Sequence, residues 1–194
     1  MRNIKMLLLA AAITFGFSSA NAVTIDTAGS TFKWKATKKI GGGHYGTIKL
    51  LEAKATVKEG KIVSGNFVMD MTSFTVDDLD GGMEKKFLGH VKSGDFFQVG
   101  KYPKATLTIT GQKDNKAIGK LKIKKDEHPI EVAFVKKDNT YVGTMEFDRT
   151  KYDITYGSDK FFSKLAADKV IDDIVKVDFI LKTAEPKAAK KKTK

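Results

Sequence analysis

Glu84–Thr110, EKKFLGHVKSGDFFQVGKYPKATLTIT, decides how the chain folds, because only here does a helical pattern run directly into a strand. Phe87, Leu88 and Val91 fall at i, i+1 and i+4, an apolar stripe on a short helix that leaves Lys85, Lys86 and Lys92 outside. The helix is predicted to stop near Gly94, since glycine tolerates the positive φ that ends helices. Asp95-Phe96-Phe97 reads as a turn. Pro103 holds Tyr102 extended, and Ala105, Leu107 and Ile109 alternate as a strand. The strands on either side must accommodate this helix-turn.

Upstream, Phe32, Trp34 and Ala36 share one face and Lys33 and Lys35 the other. Gly41–Gly43 is a turn. Gly43–Leu50 reads as one strand, with His44, Gly46, Ile48 and Leu50 on a common face. Ala53, Ala55 and Val57 continue to a turn at Glu59-Gly60, and Val63, Gly65, Phe67, Met69 and Met71 follow. Asp77–Gly82 is an acidic loop. Downstream, Gly119, Leu121 and Ile123 alternate with lysines, then come Ile130, Val132 and Phe134, and then Tyr141, Gly143, Met145, Phe147 and Arg149. Tyr152, Ile154 and Tyr156 are predicted to form a short strand and Gly157–Asp168 a connection with helical character. Val175, Val177, Phe179 and Leu181 make the last strand.

Strands apolar on one side only, without strand–helix alternation, point to an all-β antiparallel barrel or sandwich of about eight to ten strands. Six small residues fall on the expected inner faces: Gly46, Ala53, Ala55, Gly65, Gly119 and Gly143. Glycine weakens a strand. Either tight curvature or an internal cavity accounts for them.

The ends of the chain read differently. Arg2 and Lys5 precede an apolar run, Met6–Phe17, and Ala20-Asn21-Ala22 has the small-x-small pattern of a cleavage site. That run is 12 residues, short of the ~20 needed to span a bilayer. A cleaved leader over residues 1–22 and a periplasmic or secreted location are expected. A body over 23–183 and a basic tail over 184–194, AEPKAAKKKTK, follow. The tail cannot bury anything and is expected to be disordered; weak contact with an anionic membrane surface through it stays open. Net charge is +12, of which the leader carries +2 and the tail +4. The remainder lies as single lysines on the outer faces of strands, which does not suit nucleic acid.

Catalytic signals are thin. There is no cysteine, hence no thiol nucleophile and no disulfide scaffold. A G-x-S-x-G elbow and a phosphate loop are both missing. His44, His90 and His128 are far apart, without metal-ligand spacing. Asp77, Asp78 and Asp80 before Gly81 lack the spacing of a calcium loop. No enzyme, metal or cofactor is expected.

Three groups of residues carry a resemblance. One is Leu88, His90, Lys92 and Ser93, then Asp95-Phe96-Phe97, then Tyr102–Thr106. Another is Ile25-Asp26 with Ser30 and Phe32, and the last is Arg149–Ile154 followed by Ile174–Leu181. Taken in chain order they span nearly the whole body of the chain and resemble the YceI-like family, exported lipocalin-like barrels described as polyisoprenoid-binding. Gly29 and Thr37 or Lys38 stand where that family often has histidines, and Gly42-Gly43-His44-Tyr45-Gly46 looks like a variant subgroup. The resemblance implies a lipocalin-like barrel of about eight strands with one short helical segment. It also implies an elongated apolar pocket for an isoprenoid quinone, polyprenyl chain or fatty-acid-like amphiphile held non-covalently.

The expected lining is Phe32, Trp34, Ile48, Phe67, Met69, Leu88, Leu107, Ile109, Met145 and Phe147, each also fit for an ordinary core. His44 and His90 are the polar candidates, for a ligand head group or for bonds within the fold. Arg149 is expected in a structural ion pair near the mouth with Asp95 or Asp153, because a lone buried charge is too costly. A filled barrel acting as an exported stress-response or partner-binding protein is the other reading, and a homodimer stays open.

Overall fold

The structure, a computed structural model, describes residues 19–184. Of the expected leader 1–22, residues 1–18 lie outside the described residues and Asn21 and Ala22 begin the first strand; of the expected tail 184–194, residues 185–194 lie outside.

Nine strands and one helix follow in chain order: β1 Asn21–Thr37, β2 Gly43–Thr47, β3 Lys49–Lys58, β4 Lys61–Asp70, α1 Gly81–Val91, β5 Lys104–Lys113, β6 Lys116–Ile123, β7 Asp126–Lys137, β8 Thr140–Asp148 and β9 Ile174–Thr183. Each of β3 to β9 pairs antiparallel with its chain neighbour, and β1 pairs with both β3 and β9. That closes an eight-stranded barrel. β2 is the extra strand, on the same edge of β1 as β3 but further along.

β1 serves three partners because it bends. Its register against β9 shifts between Asp26 and Thr31. The Ser30 hydroxyl donates to the Asp26 carbonyl at 2.7 Å and accepts from the Lys182 amide at 2.9 Å. The Gly29 amide donates to the Asp26 carboxylate at 2.9 Å. This bulge gives the Ile25-Asp26/Ser30/Phe32 pattern its physical purpose: it bends a strand without leaving backbone groups unpaired.

Gly43–Leu50 is two strands and not one. The Ile48 amide still donates to the Phe32 carbonyl of β1 at 3.1 Å, and from Lys49 the chain pairs instead with β4, at Asp70. Beyond that break the outer edge of β2 is covered by the segment entering the helix. Thr47 N–H donates to the Thr75 hydroxyl at 2.9 Å and Thr75 N–H to the Thr47 carbonyl at 3.0 Å. The edge is therefore satisfied.

Alternation places the core as expected along most strands, with Phe32, Trp34, Phe67, Met69, Leu121, Val132, Met145, Val177 and Phe179 all buried. Each such side chain contributes about 1.5–3 kcal/mol. In β4, however, Ile62 faces inward in place of Val63, because the pairing with β3 skips a residue between Thr56 and Val57. Tyr152, Ile154 and Tyr156 do not form a strand. Arg149–Tyr152 is a 3-10 turn capped by Asp148, whose carboxylate accepts from the Thr150 amide at 2.9 Å. Asp153 then takes φ 58°, and Gly157–Asp168 holds only the start of a further 3-10 turn, Ala167–Lys169.

The helix starts at Gly81, inside the expected loop, and ends before Gly94. Ser93 stops it: its hydroxyl donates to the His90 carbonyl at 2.7 Å, and Gly94 is not in the left-handed region. The inward glycines do not open a cavity. A side chain at Gly46 would collide with the Thr75 carbonyl, and one at Gly143 with the Ala133 carbonyl and the Phe179 ring. Close approach of neighbouring backbone and rings explains them.

Candidate functional site

The antiparallel order gathers four connections at one end of the barrel, the short β6 to β7 turn and three long ones: β1 to β2, β4 to β5 through α1, and β8 to β9. Between them lies an apolar hollow of about 190 Å³, walled by Trp34, Ala36, Phe74, Phe87, Val91, Phe96, Phe97, Ile154, Ile171 and Val175. His44, His90, Tyr156, Lys38 and Arg149 supply its polar groups.

His44, His90 and Arg149 are held by the local fold. His44 Nδ1 meets the Asp78 carboxylate at 2.8 Å, and its ring lies 4.6 Å from that of Phe87. Burial works to raise the Asp78 carboxyl, but the bonds from His44 and from the Tyr45 amide outweigh it and hold it below the usual range. Among the described residues, His44 Nε2 has no bonded partner. His90, near the end of α1, stands 3.4 Å from Asp95 and meets the rings of Phe96 and Tyr156 edge-on at 5.0 and 4.6 Å.

Arg149 is 2% exposed and holds together the crossing segment, residues 149–173, that leads from β8 to β9. It donates to the carbonyls of Ile154 at 2.7 Å, Tyr156 at 2.8 Å, Asp172 at 3.0 Å and Ile171 at 3.1 Å. Its carboxylate partner is Asp173, at 3.5 Å, and neither Asp95 nor Asp153. Asp95 is taken by His90, and Asp153 by Lys124, whose ammonium also donates to the Asp153 carbonyl at 2.9 Å. Burial pushes the guanidinium pKa down, with Asp173, Asp148 and Asp172 opposing.

Below this hollow two smaller spaces follow down the barrel. The upper, about 60 Å³, is walled among others by Phe32, Trp34, Ile48, Met69, Met145 and Phe147. The lower, about 30 Å³, is walled by Phe32, Phe67, Leu107, Ile109, Met145 and Phe179 among others. Trp34, Phe74, Phe97 and Val175 separate the mouth hollow from the upper space, and Phe32 and Met145 separate the two inner spaces. The Phe32 and Phe179 rings stack at 5.8 Å inside.

The twelve residues singled out from the sequence thus divide. Trp34, His44 and His90 meet at the mouth; Ile48, Met69 and Phe147 surround the upper space and Phe67, Leu107 and Ile109 the lower, with Phe32 and Met145 shared. Leu88 is half-buried against the core and walls none of the three. Sequence reasoning missed Phe74, Phe87, Phe96, Phe97 and Tyr156 as mouth residues. The aromatic density of Phe87–Phe97 was the available signal.

A larger, open groove of about 420 Å³ lies outside the barrel, where β7 and β8 diverge. Glu131, Glu146, Lys116 and Lys151 line it, and His128 Nε2 is engaged there with the Lys151 carbonyl at 2.8 Å. Charged walls open to water make it the weaker candidate for an apolar ligand.

No curated protein matches the chain. Among solved structures, Burkholderia cenocepacia BcnA is similar, with a TM-score of 0.60 at 21% identity over 81% of this chain and 98% of that one. A Campylobacter jejuni YCEI protein aligns over 96% of this chain and 92% of its own at 14% identity, with a TM-score of 0.45. The family model described as YceI-like domain matches residues 23–183, which is the whole barrel but for the first two residues of β1. With that match over an eight-stranded barrel of this form, the chain belongs to the YceI-like family.

Proposed function

We propose that the protein is an exported carrier for a single-chain amphiphile of isoprenoid type: a polyprenyl chain, a quinone or a fatty-acid-like lipid. The head would sit at the mouth beside His44 and His90, and the tail would run down the barrel. Membership in a family of binding proteins, not enzymes, agrees with this. The observation that carries the reading is the line of three apolar spaces separated only by side chains.

Magnitudes decide how far the tail must go. A space of about 190 Å³ takes roughly six methylenes at a water-like ~30 Å³ each. At ~0.8 kcal/mol per buried methylene that is about 5 kcal/mol before ordering costs. Micromolar binding needs about 8 kcal/mol, so a tightly held chain has to enter the inner spaces. Met69 and Met145, unbranched and adaptable, are the side chains best able to give way.

Native mass spectrometry of the protein isolated from its own host tests this. A bound mass extractable into organic solvent is expected, and a clean ligand-free mass across several preparations overturns the carrier reading. The ring stack of Phe32 on Phe179 and the small inner spaces favour the second reading in that event: an exported partner-binding protein with a filled barrel.

A further inference from the structure

The barrel's two ends differ in chemistry. The far end is closed by the tight polar turns Glu59-Gly60, Asp114-Asn115 and Asp138-Asn139. The mouth end has one tight turn, between β6 and β7, and three long segments, and there the fold exposes what a soluble surface ordinarily hides. Of ten large hydrophobic side chains exposed among the described residues, only Leu51, Val135 and Ile180 lie along the wall. The other seven stand at the mouth end, and Ile40, Phe161 and Phe162 are 59%, 56% and 47% exposed. Such one-sided concentration marks an interaction surface.

Two loops present these three side chains, and the fold ties the loops together. Lys39 forms an ion pair with Asp159, the Lys39 amide donates to the Val170 carbonyl at 3.0 Å, and the Asp172 amide to the Thr37 carbonyl at 2.8 Å. Phe161 and Phe162 sit at the tip of a turn in which both amides donate to the Ser158 carbonyl, at 3.2 and 3.0 Å. The β1–β2 loop carries Lys38 and Lys39 with no acid, while the β8–β9 connection carries Arg149, Lys151, Lys160, Lys164 and Lys169 against Asp153, Asp159, Asp168, Asp172 and Asp173, so the two loops together keep a net charge of +2. Among the described residues, Lys38 and Lys164 have no carboxylate partner.

We propose that this end of the barrel docks on an anionic phospholipid bilayer, with Ile40, Phe161 and Phe162 entering the headgroup region and the loop lysines facing lipid phosphates. Apolar tips ringed by lysine are the chemistry that binds such an interface. A protein partner would need no excess of one charge. Tyr156 and Ile171 belong to the same crossing segment and wall the mouth hollow, so docking turns that hollow toward the lipid. The inference does not depend on the hollow holding a ligand.

The test is co-sedimentation of chain 21–194, which keeps every strand, with vesicles of phosphatidylglycerol and phosphatidylethanolamine, and with phosphatidylcholine alone. Binding to the anionic vesicles that weakens with salt is expected. The double variant F161S/F162S should bind at least about tenfold more weakly, I40S should weaken binding in the same direction, and the wall variant V135S should bind as the parent does. Unchanged thermal melts show that these surface changes leave the fold intact. The proposal is overturned if the parent does not bind, if F161S/F162S binds like the parent, or if deleting Lys187–Lys194 alone removes binding. It is equally overturned if F161S/F162S abolishes only a concentration-dependent dimer, which would make the surface a contact between copies.

Discussion

The indole of Trp34 and the ring of Phe87 lie nearly parallel, 6.1 Å apart, and this pair fastens α1 over the mouth of the barrel. Trp34 is itself fixed, since its Nε1–H donates to the Thr75 carbonyl at 3.0 Å. Phe87→Ala should therefore loosen the helix without touching the barrel wall. A loss of about 2 kcal/mol is expected, below the full cost of a buried phenylalanine because the ring is only half-buried. Trp34 is the sole tryptophan, so its emission should shift to the red and become open to acrylamide. Unchanged emission would show that the helix closes the mouth by other contacts.

Arg149 is the group whose removal should cost most. Arg149→Met leaves four carbonyls without their donor and Asp173 with Lys160 as its remaining cation. A loss of about 3–5 kcal/mol in urea unfolding is expected. Arg149→Lys should recover little, because an ammonium cannot reproduce the planar fork. A loss below about 1 kcal/mol for the Met variant would mean that the crossing segment is held by its packing.

Phe32 walls both inner spaces. Phe32→Ala should join them at a stability cost of about 3–5 kcal/mol, and raise the occupancy of long-chain amphiphile in native mass spectra. Reduced occupancy in a variant that still folds would mean that the ring is a ligand contact and not a barrier.

Tyr152 predicts the alkaline behaviour. Burial, aided by Asp148, pushes its phenol up to about 12. Its folded pKa is raised above the ordinary value near ~10, so its stabilising contribution is complete below that value and is lost as pH rises toward about 12. The loss should reach about 2 kcal/mol. Tyr152→Phe should flatten stability over that window, and an ultraviolet titration of the parent should show a late tyrosinate that the variant lacks, beside Tyr141, which burial also raises. Parallel pH profiles for parent and variant would contradict this.

Acid should act on the carboxylates. Asp148 is held low: burial would raise it, but the Thr150 hydroxyl and amide and Lys160 outweigh that. A depressed folded pKa gives stability that is present above the ordinary carboxylate value near ~3.9 and lost as pH falls below it. Asp148→Asn should remove part of that acid-side slope, read from melting temperatures across the acid range.

Legibility differed residue by residue. Phe67 and Phe179 announce their inward faces through simple alternation, and the Phe87/Val91 stripe announces α1. Ile62 was misplaced because a bulge opposite Thr56 and Val57 inverts parity, and bulges leave no mark in the hydrophobic pattern. Tyr152, Ile154 and Tyr156 alternate like a strand, yet Asp148 capping and Arg149's bonds to the carbonyls of Ile154 and Tyr156 fold the segment into turns. Arg149 could be seen to need a partner, but Asp173 lies across the crossing segment, out of reach of any local rule.

What the chain determined unaided was most of the one-sided strands, their succession along the sequence and the helix between two of them, because side-chain periodicity is a local property of the backbone. Tertiary structure alone decided that the glycines admit neighbours instead of leaving space, and that the hollow sits at the mouth while rings fill the middle. Filling depends on distances between residues far apart in sequence, and those exist only once β1 has met β9.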